Sequence, residues 1–190
     1  MADTRSRMVD AAIRGLQRHG AAGMSFTDVL QDSGAARGAI YHHFPGGKTQ
    51  LVAEAAARNG EEVRAALATL PAGDPRTVVT AFLDAIRPVL AASTAGGGCA
   101  VAAITVGAGE PGSGETDLRR AAAGIFASWG QILAERLESP DLAPTEAGEL
   151  ATTLIMLLEG AHVLCRAAGD LEPFEQAART AVALTRARLA

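Results

Sequence analysis

Arg37, Tyr41, His42 and Lys48 put a guanidinium, a phenol, an imidazole and an ammonium into one short stretch of chain. All four donate hydrogen bonds, and two carry permanent positive charge, which suits them to hold an anionic polymer or to read base edges. An arginine at the first turn of a helix can make the bidentate contact to guanine O6 and N7. Gly38 beside it carries no side chain and lets the backbone come close, while Ala35, Ala36 and Ala39 suit apolar contact, for example with a thymine methyl. Tyr41 and His42 follow one turn later and can reach phosphate oxygens, contacts that position without specifying sequence. Lys48 stands near the start of a long helix, where the macrodipole disfavours a cation. A phosphate bound at that helix N-terminus would reconcile the two; a solvated loop lysine is the competing reading. With Ser25 and Thr27 from the preceding helix, the candidate DNA-binding set is Ser25, Thr27, Ala36, Arg37, Gly38, Tyr41, His42 and Lys48.

These residues need elements to hold them. Met8, Val9, Ala12, Ile13 and Leu16 form one stripe at helical spacing, predicting a helix over 4–19 that Gly20 ends. Ser25 and Asp28 make a Ser-x-x-Asp start signal for a short helix with Phe26, Val29 and Leu30 inward, stopped at Ser33-Gly34. A third short helix is expected over 36–43, with Ile40 and Phe44 as inward anchors, and Pro45-Gly46-Gly47 breaks it. Two short helices joined at a glycine turn and braced by a third are a helix-turn-helix, whose second short helix lies in the major groove. Further helices are expected at 48–69, 75–92, 99–108, 115–138, 145–168 and 172–189. The punctuation between them includes Pro71 to Pro75, Gly96-Gly97-Gly98, Gly107 to Gly114, Ser139-Pro140 and Gly169-Asp170.

Composition agrees with an all-α chain. The protein has 190 residues, 48% apolar and 20% charged, with one Trp, one Tyr and five Phe. Alanine recurs in almost every segment; it is the best helix former, and aromatic strand formers are scarce. Intrinsic disorder, which needs low hydrophobicity and high net charge, is excluded. Two cysteines, Cys99 and Cys165, are too few for a secreted disulfide framework. No apolar run marks an export signal at the N-terminus. The longest charge-free stretch, Pro88 to Gly109, is broken by its glycines into a helix, a loop and a second helix. A cytoplasmic protein without membrane contact is expected. The net charge of −4 is uneven: residues 1–51 carry six basic and four acidic groups, and the remainder is −6. That asymmetry suggests a basic contact module joined to an acidic body.

The run from Ser25 to Phe44, followed by Lys48 and Leu51, resembles the DNA-binding domain of TetR-family transcriptional regulators. Gly34, Gly38, Ile40, Tyr41, His43, Phe44 and Lys48 match the family pattern in order, and the resemblance covers about the first 50 residues. Two features depart from it: Ala36 stands where Ser or Thr often starts the recognition helix, and Pro45-Gly46-Gly47 is one residue longer than the commonest form. The longer form, and Gly98-Cys99-Ala100-Val101-Ala102-Ala103 in the body, are similar to the subgroup with regulators that respond to lincosamide antibiotics and flavonoids. The resemblance implies a homodimer that binds double-stranded operator DNA through residues 1–47, with residues 48–190 binding a small-molecule inducer and dimerising.

Within the body, Phe82, Phe126 and Trp129 are candidates for lining an apolar ligand site, with core packing as the alternative for each. Leu158, Glu159 and His162 join them on a helix that is apolar nearly all round. The polar pair there can serve a pocket, a dimer interface or an intrahelical contact with Arg166. Glu159, His162 and Cys165 share a helix face, but no second cluster completes a metal site. No metal, cofactor or catalytic residue is therefore expected, and the Gly-rich connectors lack the Gly-Lys-Ser/Thr ending of a phosphate loop. Dimerisation is expected through the last two helices, where Leu150, Leu154, Leu157, Leu158 and Leu164, then Ala178, Val182, Leu184 and Leu189, exceed what one core face needs. The leading function is a repressor released from its operator by a small apolar ligand. A constitutive DNA-binding protein and a helical enzyme are the alternatives.

Overall fold

The computed structural model describes residues 3–106 and 115–189. Among these the chain is all-α: α1 (Thr4–Gly23), α2 (Phe26–Ser33), α3 (Ala39–His43), α4 (Gly47–Ala68), α5 (Pro75–Thr94), α6 (Ala100–Ala103), α7 (Glu115–Leu137), α8 (Pro144–Ala168) and α9 (Glu172–Arg188). The expected helical architecture is the observed one. Gly107 to Gly114, including the expected end of the helix at 99–108, lies outside the described residues.

By packing, the chain divides into two compact units. The first draws on Met1–Glu61 and Gly98–Ile125, the second on Glu62–Gly97 and Phe126–Ala190. Both α4 and α7 contribute to each unit.

In the first unit the predicted stripe of α1 is the core: Met8, Val9, Ala12, Ile13 and Leu16 are all buried, and α1 packs on α2 and α6. Gly20 does not end α1 as expected. It has φ +70°, so the chain kinks there and runs on helically to Gly23. α2 begins as predicted, the Ser25 hydroxyl accepting the Asp28 N–H at 3.1 Å and donating to the Asp28 carboxylate at 2.7 Å. It ends at Gly34, which takes φ +64°, a conformation that costs a residue with Cβ about 1–2 kcal/mol. Regular helix resumes at Ala39 rather than Ala36. The intervening chain is a turn closed by the Ala39 N–H on the Ala36 carbonyl at 2.9 Å, and Ala36 has no side-chain oxygen to cap an earlier start. Ile40 and Phe44 anchor α3, at 1% and 0% exposure. α6 is shorter than expected, and Cys99 is its cap, the thiol sulfur accepting the Ala102 N–H at 3.3 Å.

In the second unit α5, α8 and α9 pack against one another around Phe82, Leu90, Leu154 and Phe174, all fully buried. Asp74 caps α5, accepting from the N–H groups of Arg76 and Thr77, and the Thr77 hydroxyl adds a 2.5 Å bond that holds the Asp74 carboxyl below its ordinary pKa. α5 continues through Pro88, which points to solvent. By length and composition α5 and α8 are apolar enough to cross a bilayer. Their buried side chains are instead part of this protein core.

Close approach in the first unit depends on Gly60 of α4. A Cβ there would lie 2.6 Å from Ile125 Cγ2. Alanine gains about 1 kcal/mol of helix propensity over glycine, but overpacking costs about 1–3 kcal/mol. Gly60→Ala is therefore expected to destabilise the protein in urea unfolding. In an Ile125→Ala background the same change is expected to stabilise it, because only the propensity gain remains.

Candidate nucleic-acid interface and apolar groove

The turn at Gly34 and the short α3 bring Arg37, Gly38, Tyr41 and His42 to the surface together. Arg37 is exposed and has no hydrogen-bond or ion-pair partner among the described residues. Tyr41 is 65% exposed yet held by its ring, which meets Phe26 edge-on with centroids 5.9 Å apart. The apolar part of the tyrosine is thus fixed by α2 while its hydroxyl faces solvent. His42 and His43 stack edge-on at 5.1 Å and lie in the last turn of α3. Ser25 caps α2 and is half-buried; Thr27, the second residue of α2, is exposed. Ala36 is exposed in the turn before α3.

Lys48 is not a solvated loop lysine. Its ammonium donates to the Ala22 carbonyl at 3.2 Å, tying the first turn of α4 to the end of α1. An ammonium has three donors, so this contact leaves two N–H groups for another acceptor.

A second set of contacts behind α3 was not singled out from the sequence. The Gly46 N–H donates to Gln50 Oε1 at 2.8 Å, and Gln50 Nε2 donates to Glu54 Oε1 at 2.9 Å. Arg5 donates to Glu54 Oε2 and sets its guanidinium 5.2 Å from the centre of the Phe44 ring. Arg58 bonds the Ser6 hydroxyl at 3.0 Å and Asp10 Oδ1 at 2.8 Å. The signal available was spacing: residues 50, 54 and 58 recur every fourth position and share a helix face.

In the second unit a groove of about 570 Å³ runs between α7 and α8. Phe126, Gly130 and Ala134 line it from α7, and Thr152, Ile155, Met156 and Glu159 from α8. It is open, since Met156 is 69% exposed. Its volume lies within the ~300–1,000 Å³ range of small-molecule sites. Of the six residues proposed from sequence for a ligand site, Phe126 and Glu159 line this groove. Trp129 is 1% exposed and packs edge-on behind Phe126, ring centres 5.2 Å apart. Phe82 and Leu158 are core residues that do not line it.

His162 is elsewhere again. It is 7% exposed, and its Nδ1 shares a 2.7 Å hydrogen bond with the buried Ser93 hydroxyl of α5. Cys165 is buried one turn on, and Arg166 reaches the Gly97 carbonyl. The Glu159/His162/Cys165 set therefore does not converge on one cleft, and no group of three metal-ligating side chains occurs among the described residues. Burial, with a smaller contribution from the Arg166 charge, lowers the His162 pKa from 6.5 to about 4.

Residues 8–55 match the family model described as bacterial regulatory proteins, tetR family. Residues 75–180 match that described as transcriptional regulator LmrA/YxaF-like, C-terminal domain. The HTH-type transcriptional regulator Rv0196 of Mycobacterium tuberculosis is 37% identical over 181 residues, covering 92% of this chain and 90% of that protein. The HTH-type transcriptional regulator LmrA of Bacillus subtilis is 28% identical over 173 residues, covering 90% of each. A TetR transcriptional regulator from Chloroflexus aurantiacus has a crystal structure that superposes with a TM-score of 0.74 at 25% identity, covering 95% of this chain and 92% of that one.

The buried His162 makes stability depend on pH. Between 6.5 and about 4 the unfolded chain binds a proton that the folded one refuses, so stability is complete above pH 6.5 and is lost as pH falls. The linkage amounts to about 3 kcal/mol over that window. His162→Gln is expected to flatten this part of the pH–stability curve, measured by urea unfolding at pH 7 and pH 4.5.

Proposed function

The chain belongs to the TetR family of transcriptional regulators, and from that premise we propose that it is a dimeric repressor whose operator complex is dissolved by a small apolar ligand. DNA-binding transcription regulators of this family are not enzymes. The observation that carries the reading of the interface is the joint exposure of Arg37, Tyr41 and His42 on a helix-turn-helix, with Arg37 unengaged among the described residues. On this reading residues 1–47 are the DNA-reading part and residues 48–190 receive the signal and dimerise. A regulator of this kind works beside the chromosome, so the reading carries a cytoplasmic location.

Two copies would meet through α8 and α9. Met156, Val163 and Leu164 on α8 and Leu184 on α9 are each more than half exposed, which supports an association face. Several residues first counted toward that face, Leu154, Leu158 and Ala178 among them, are buried in the chain's own core. Paired copies set the separation of the two α3 helices, and half-sites one turn apart demand ~34–36 Å between reading elements.

The groove beside Phe126 is the candidate inducer site. A ligand acts only through its differential affinity for two states of the protein. α7 offers a route for that difference: Phe126 lines the groove, and its chain neighbour Ile125 packs on Gly60 of α4. α4 in turn carries Lys48, Gln50 and Glu54 behind α3. A turn of α7 about its axis would therefore move α4 and the reading helix with it.

The test is selection of bound DNA from a random pool, followed by a screen for small molecules that release the selected site. Arg37→Ala is expected to relax base preference at one position per half-site, at a cost of ~1–3 kcal/mol there. Equal loss on operator and random DNA would remove that role. Lys48→Ala is expected to weaken binding to all sequences and to reduce the salt slope by ~1. A releasing ligand is expected to change the emission of Trp129, the only tryptophan, through its contact with Phe126. Phe126→Ala should weaken release while sparing operator affinity; a normal ligand response in that variant would take the inducer out of this groove.

A further inference from the structure

The contacts behind α3 form a closed circuit. From the turn after α3, the Gly46 N–H leads to Gln50, Gln50 to Glu54, Glu54 to Arg5, and the Arg5 guanidinium returns to the Phe44 ring just before Gly46. Glu54 is the member on which two arms converge, one carboxylate oxygen taking the Gln50 amide and the other the Arg5 guanidinium. Arg58, one turn further on, fixes the same pair of helices through Ser6 and Asp10. None of these groups belongs to the exposed set on α3.

We propose that Glu54 and Arg5 are positioning residues of operator recognition: they set the angle at which α4 and the N-terminal turn of α1 present α3 to the major groove, without touching DNA. The inference rests on the reading that α3 enters that groove. Glu54 acts by holding Arg5 over Phe44 and Gln50 against the turn, so that the helix-turn-helix leaves α4 in one orientation. With the circuit opened, Phe44 remains buried but the turn at 45–47 is free to adopt others, and a base-reading arginine loses its register before the fold is lost.

Electrostatics alone predicts a different pattern, which makes the role testable. Glu54 lies about 9 Å along α4 from Lys48 at 1.5 Å per residue, close enough for its charge to act on bound phosphates. Deleting a negative charge there should tighten binding to any DNA, and deleting the positive charge of Arg5 should weaken it. A positioning role makes both deletions lower the ratio of operator to random-sequence affinity, in the same direction despite opposite charge changes.

The experiment measures that ratio for full-length wild type, Glu54→Gln and Arg5→Gln, by anisotropy titration of the selected operator and of a scrambled duplex at one salt concentration. Helicity and melting temperature are recorded for each. Glu54→Gln is isosteric at a side chain that is 29% exposed, so the fold is expected to survive. The ratio should fall about fivefold in both variants, the upper range for a partly exposed ion pair, and the charge-swapped Arg5→Glu/Glu54→Arg protein should recover part of it. Ratios unchanged from wild type, or moved in opposite directions by the two deletions, overturn the inference. Arg37→Ala, run alongside, reports on the reading of α3 itself. If Arg37→Ala keeps the wild-type ratio, that reading fails whichever way Glu54 and Arg5 fall.

Discussion

A five-residue helix cannot hold itself together in water, because nucleation costs more than so few hydrogen bonds return. α3 is such a helix, so its place in this protein is set from outside. Ile40 and Phe44, four residues apart, lie on one side and are buried, with the Arg5 guanidinium of α1 over the Phe44 ring. Burying two such side chains contributes roughly 3–6 kcal/mol, which outweighs the nucleation deficit. Tyr41 and His42 of the helix, and Arg37 in the turn before it, are left exposed. The exposed set is therefore placed by what is hidden behind it, and the orientation of α3 can be no better defined than the seating of Phe44.

The second unit answers a different requirement. A regulator that responds to a ligand needs a body that is stable without being filled. α5, α8 and α9 supply the stable part, with Phe82, Leu154 and Phe174 fully enclosed. Between α7 and α8 the side chains are too small to fill the gap: Gly130 and Ala134 face Gly148 and Thr152. The polar Ser93–His162 pair lies within the same unit and stays neutral near pH 7, since burial drives the His162 proton off. Removing one partner of a buried hydrogen bond leaves the other unsatisfied, which costs more than the bond contributes. The pair thus fixes α5 against α8 by a penalty for mispairing.

Much of this was legible in the chain because the signals were local. The Ser25–Asp28 cap, the stop at Gly34, and the stripe from Met8 to Leu16 are decided within a few residues, and each stands where the spacing put it. The misses are of two kinds. Gly20 and Ala36 were read by their commonest roles. The first instead kinks a helix that continues, and the second lacks the hydroxyl that an earlier start of α3 would need. Phe82 and Trp129 are buried and do not line the groove, for a general reason. Large aromatics fill space, so they mark the core, and an open groove is marked by the small residues that sequence reading passes over. The circuit from Arg5 to Glu54 joins residues 49 positions apart. Periodicity gave the α4 face, but not which helix lay against it.

The acidity of the chain, at first sight an argument against DNA, fits the site once the pairing of its cations is counted. In the first unit Arg5 and Arg58 are committed to Glu54 and Asp10, while Arg37 is exposed and has no ion-pair partner among the described residues. Non-specific affinity grows with the number of phosphates neutralised. A chain of net charge −4 in which Arg5 and Arg58 are internally paired gains less from random DNA than one with those charges free. What a regulator needs is a high ratio of operator to background affinity, since competing sites outnumber the operator by many orders of magnitude. Holding arginines in internal pairs lowers the denominator of that ratio. An exposed arginine in the turn just before α3 would, on the proposed reading, keep the numerator. On the proposed reading, the ion pairs behind α3 would act on specificity twice, once by fixing geometry and once by withholding charge.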